Sequence, residues 1–111
     1  MDILIRTTGV TLTETLEATI EDKIGRVEHF APRAIRARVH VRKVSAHASP
    51  RQYLVRVIIE VPGSDMSAQQ SGPDVVSALD LVAGKIEHQL SKRKTEQLTR
   101  HGHRTPRPGK E

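Results

Sequence analysis

Lys85, His88 and Lys92 recur at spacings of three and four, so one helical face would carry all three, and Arg93 and Lys94 follow directly. Cations gathered in this way suit contact with a polyanion, and the plainest alternative is a solvated helix end complementing its dipole. A second basic set, Arg36, Arg38 and Arg42, alternates with Ala37, Val39 and Val41, so a strand would turn the cations to one side. Both sets point to phosphate contacts rather than bond-making chemistry.

The charge distribution supports that reading. Residues 1–91 carry eleven Lys/Arg and eleven Asp/Glu, so the whole net charge of +5 lies in residues 92–111. Within the neutral part, residues 32–59 hold seven cations and no carboxylate, whereas Glu14, Glu17, Glu21 and Asp22 gather near the start. Such polarity is a footprint for electrostatic docking.

Other chemistries find little support. There is no cysteine, which removes disulfides, thiolate nucleophiles and cysteine-ligated zinc and makes the cytoplasm the default compartment. Of six histidines, His101 and His103 fall near the C-terminus without acidic neighbours, and His29, His40 and His47 read as polar-face or turn residues, so no metal or other cofactor is expected. No phosphate loop, nucleophile elbow or carboxylate pair appears, and no catalytic residue is nominated. The N-terminus lacks the cationic and apolar regions of a signal peptide, and no apolar run suits a membrane span. Phe30 and Tyr53 are the only aromatics and fall on faces expected to be buried, which argues against base stacking.

The elements that must position these residues follow from periodicity. Ile3, Ile5 and Thr7 alternate with Leu4, Arg6 and Thr8 in a first strand. Thr11 and Glu14 have capping-box spacing, and Leu12, Leu16, Ile20, Ile24, Val27 and Phe30 give a helix that Pro32 ends. Ile35, Ala37, Val39 and Val41 face one way in a second strand. Residues 52–61 form a third with apolar groups on both faces, as in a sheet interior, and Met66, Ala68 and Gln70 suggest a short fourth. Ser71 and Asp74 open a second helix with a stripe of Val75, Leu79, Val82, Ile86 and Leu90. The order β-α-β-β-β-α implies an α+β fold, two helices on one face of a four-stranded, mainly antiparallel sheet. Residues 1–98 read as one domain and 99–111 as a disordered basic tail.

Several stretches together resemble the ribosome hibernation factors, the family of hibernation promoting factor and ribosome-associated inhibitor A. They are Lys23-Ile24-Gly25-Arg26-Val27-Glu28-His29-Phe30, Val61-Pro62-Gly63 followed by Met66 and Ala68, Asp74 with Ala78-Leu79-Asp80, and Gln89-Leu90-Ser91-Lys92-Arg93-Lys94. The resemblance covers residues 2–98 and lies in their order and spacing. It implies a domain built like double-stranded-RNA-binding domains that occupies the messenger and transfer RNA channel of the small ribosomal subunit and inhibits translation under stress by occlusion. It maps the basic surface to Lys23, Arg26, Lys85, Lys92, Arg93 and Lys94, whereas Arg36, Arg38 and Arg42 rest on the strand pattern alone. The sequence departs from the family in Val75-Val76, where relatives often carry an aromatic, and in Gly25, which costs a helix up to about 1 kcal/mol relative to Ala. Ending at Glu111, it resembles the short form without an additional dimerisation domain, expected to be a monomer off the ribosome. Two other readings stand beside it: a general double-stranded RNA binder, and a protein-interaction module whose acidic first helix and basic tail dock onto another protein or a second copy of the chain.

Overall fold

The computed structural model describes the backbone of residues 1–102 and the side chains of residues 1–92. Four strands and two helices appear in the expected order: β1 (Asp2–Thr8), α1 (Glu14–Gly25), β2 (Arg36–Lys43), β3 (Tyr53–Glu60), β4 (Met66–Gly72) and α2 (Val75–Gly102). The strands lie in the order β1-β2-β3-β4. β1 pairs with β2 in parallel, which requires α1 as a crossover, and the other two pairings are antiparallel.

Alternation decides which side of the sheet is dry. Ala37, Val39 and Val41 of β2 and Val55, Val57 and Ile59 of β3 are buried on one face. Ile20 and Ile24 of α1 and Leu79, Val82 and Ile86 of α2 complete the same core, which places both helices on that face. Arg6, Arg38, Arg42 and Arg56 occupy the alternate positions and are exposed. The opposite face is therefore open to solvent.

The helix boundaries differ from the sequence expectation in instructive ways. Thr13, rather than Thr11, caps α1, its hydroxyl accepting from the Leu16 amide at 3.1 Å. Leu12 then lies before the helix and is 38% exposed. The α-helix stops at Gly25, and the chain tightens into a 3-10 turn over Arg26–His29. That change of pitch keeps Val27 in the core but turns Phe30 outward, leaving it 42% exposed, and Tyr53 is only half-buried. Ile35 precedes β2 and is likewise exposed.

Asp74 caps α2, accepting from the Ser77 amide at 2.8 Å through one carboxylate oxygen and from the Ser77 hydroxyl at 3.2 Å through the other. Two glycines answer to geometry. Gly63, in the turn after β3, has φ +101°, a region open mainly to glycine. At Gly72 a Cβ would approach the Ala78 amide nitrogen to 3.1 Å, so a bare backbone lets β4 run directly under the start of α2.

Candidate nucleic-acid interface

Strand register arranges the open face into transverse rows. Arg6 lies opposite His40, His40 opposite Arg56, and Arg56 opposite Gln69, so three basic side chains stand side by side on three strands. The row on one side joins Leu4, Arg38, Ile58 and Ser67, and the row on the other joins Thr8, Arg42, Leu54 and Ser71. Cations thus occupy the middle of the face, with aliphatic groups between them. A shallow hollow of about 370 Å³ lies there, bordered by Leu4, Arg6, Arg38, His40, Arg56 and Ile58.

At the β4 edge the basic row turns onto α2. The Lys85 ammonium donates to the Gln69 carbonyl at 3.4 Å, and the Gln89 amide donates to the Ser67 carbonyl at 3.1 Å. These contacts satisfy outward carbonyls of an edge strand that would otherwise invite pairing. They also carry the positive surface from the sheet to the helix.

The predicted cations differ in how far they are committed to partners. Lys23 pairs with Asp80 at 2.6 Å, joining the end of α1 to α2. Arg26 pairs with Asp22 at 3.3 Å within its own helical region. Arg36 and Arg38 share Glu60 at 3.7 and 3.0 Å. Among the described residues no carboxylate pairs with Arg6, Arg42, Arg56 or Lys85.

Lys85, His88 and Lys92 are exposed along α2. Asp80, Gly84 and His88 follow at successive turns of that surface, so the Lys23–Asp80 pair marks its beginning. The side chains of Arg93 and Lys94 lie outside the described residues, as do residues 103–111 of the expected tail over 99–111, whose first four residues belong to the described backbone of α2.

Arg6 and Arg56 were not nominated from sequence: alternation set Arg6 beside Leu4 and Thr8, and Arg56 on a face of the third strand that also carries Leu54 and Ile58. His40 is the third member of their row. Its Nε2 lies 2.9 Å from the Thr8 hydroxyl. Burial, and then the charges of Arg42, Arg6 and Arg56, hold its pKa below the ordinary imidazole value.

Among the described residues no group of three or more His, Cys, Asp or Glu could hold a metal ion, and no helix is long and apolar enough to cross a membrane. The exposed Phe30 ring stands away from these rows in sequence and element, and one ring does not build a stacking platform. The arrangement can bind a polyanion through guanidinium and ammonium groups supported by a rigid sheet.

Known proteins resemble this chain in sequence and in fold. The chain is 27% identical over 100 residues to a ribosome hibernation promotion factor of Deinococcus radiodurans, an alignment covering 90% of this chain and 52% of that protein. It is 30% identical over 90 residues to the ribosome hibernation promotion factor of Staphylococcus aureus, covering 78% and 45% respectively. The chain therefore spans about half the length of the curated relatives it matches. A ribosomal subunit interface protein from Coxiella burnetii superposes with a TM-score of 0.75 at 25% identity, covering 86% of this chain and 99% of that one. The N-terminal domain of Thermus thermophilus Protein Y has the same fold, with a TM-score of 0.71 at 16% identity over 83% of this chain and 98% of that one. The family model for Sigma 54 modulation protein / S30EA ribosomal protein matches residues 3–98, and the chain belongs to that family.

Proposed function

We propose that this protein is a ribosome hibernation factor that binds the small ribosomal subunit in the messenger and transfer RNA channel and inhibits translation by occlusion. The observation that carries the reading is the row of Arg6, His40 and Arg56 across the sheet, which leads through Gln69 to Lys85 and α2, on a domain whose relatives are named ribosome hibernation promotion factors. A rigid sheet supplies fixed charges to a folded RNA backbone, and nothing in that mode of action requires a bond to be broken. The protein is thus read as a binder rather than an enzyme, working in the cytoplasm, where ribosomes are, and monomeric until bound. Residues 1–98 are the binding domain and 99–111 an accessory basic tail.

Inhibition of cell-free translation, with and without excess messenger and initiator transfer RNA added first, tests the mechanism. Occlusion predicts that prior loading protects the ribosome from inhibition, and that the protein in turn lowers transfer RNA binding. Inhibition unaffected by loading contradicts it. Equal affinity for naked duplex RNA and intact small subunits favours a general double-stranded RNA binder instead.

A further inference from the structure

We infer that the open face of the sheet, opposite the helices, is a phosphate-binding surface in its own right, on which Arg6, His40 and Arg56 hold one RNA phosphodiester across β1, β2 and β3. The inference rests on the ribosome-binding reading and names a site within it.

Register supplies the geometry. Arg6 and Arg56 stand one strand to either side of His40, a spacing of about 5 Å each, so two guanidinium groups can converge over the imidazole. Both are exposed, and neither pairs with a described carboxylate. The carboxylates on this face, Asp2 and Glu60, lie at its far end, where Glu60 already serves Arg36 and Arg38. Leu4 and Ile58 border the hollow and offer apolar contact to a ribose or base, while the cations take the phosphate. A nucleotide presents both features at once, whereas an acidic side chain presents only the charge.

His40 gives the site a proton-linked signature. Its neighbours on this face are Arg6 and Thr8 from β1, Arg38 and Arg42 from β2, and Leu54, Arg56 and Ile58 from β3, with Gln69 of β4 beyond Arg56; the helices pack on the other face. Three arginines and partial burial disfavour a further positive charge on the free protein. A phosphodiester in the row reverses that balance. The imidazolium then donates through Nε2 to the Thr8 hydroxyl and through Nδ1 to a phosphate oxygen. Binding should therefore take up a proton, and affinity should rise as pH falls.

Binding of the full chain to small ribosomal subunits, measured between about pH 6 and pH 8 and over a salt series, tests this. Affinity of the unaltered protein should rise on acidification by no more than about tenfold per pH unit, the limit for one proton. His40→Gln should flatten that dependence, and His47→Gln, in the β2–β3 loop, should retain it. Arg6→Ala combined with Arg56→Ala should weaken binding at least about tenfold and lower the slope of log affinity against log salt by about one. All four substitutions lie outside the core, and a single cooperative thermal transition well above the assay temperature confirms that each variant is folded.

Unaltered affinity and salt slope in the double variant overturn the site, as does a pH dependence that survives His40→Gln. Cross-links from positions 6 and 56 that reach ribosomal protein instead of RNA also overturn it and assign the face to an acidic protein partner. Failure of the unaltered chain to bind small subunits at all is a separate result, which removes the ribosome reading itself.

Discussion

At the scale of single residues, the proposed binding sets internal partners in competition with an external polyanion. Asp80 holds Lys23 at 2.6 Å, and Lys23 is the more buried of the pair. Pairs this exposed contribute at most about 1 kcal/mol, so Asp80→Asn should cost little stability while removing a carboxylate from the binding surface. Chemical denaturation and a small-subunit binding assay should show a loss below about 1 kcal/mol together with tighter binding. Weaker binding would mean that Asp80 positions Lys23 instead of restraining it. His40 makes an opposite pair of predictions about pH. Because its pKa is lower folded than unfolded, the unfolded chain binds more protons below the ordinary imidazole value, and stability falls as pH drops through that window. Melting curves of the unbound protein should record that fall, reduced in His40→Gln, while ribosome affinity moves the other way. None of these pairings could be read from sequence, because Lys23 and Asp80, or Arg38 and Glu60, meet only after the chain has folded.

At the scale of elements, most of the fold was legible, and the errors have local causes. The two-residue period of Val55, Val57 and Ile59 and the helical stripe of Leu79, Val82 and Ile86 specify buried faces directly. Cap identity was harder, since Thr11 and Thr13 both precede the apolar stripe and only the folded backbone decides which hydroxyl meets an amide. Thr13→Ala should therefore destabilise by about 1 kcal/mol, whereas Thr11→Ala should leave the midpoint of denaturation nearly unchanged. Leu79→Ala, which empties a fully buried position between α2 and the sheet, should cost about 2–5 kcal/mol in the same assay. Phe30 was misplaced because the change from α-helix to 3-10 turn at Arg26 alters the pitch, and period counting assumes one pitch throughout. The candidate interface was partly legible for a related reason. Alternation placed Arg6 and Arg56 opposite the buried face of their strands, but which residues stand beside them depends on register between strands distant in sequence.

At the scale of the whole molecule, one dry face organises stability and, on the proposed reading, function as well. Covering one side of the sheet with α1 and α2 leaves the other side as a rigid platform, and capping the β4 edge with Lys85 and Gln89 joins that platform to α2. The folded domain, rather than bulk charge at the C-terminus, should then drive occupancy. Deleting residues 99–111 should leave inhibition of cell-free translation mostly intact; complete loss would make that segment the anchor. The central claim is recognition of the small ribosomal subunit by this cationic surface. Sucrose-gradient sedimentation of the protein with ribosomal subunits over a salt series tests it most directly. The protein should migrate with the small subunit at low salt and dissociate steeply as salt rises, because phosphate contacts release counterions. Protein that remains at the top of the gradient at low salt would contradict the account.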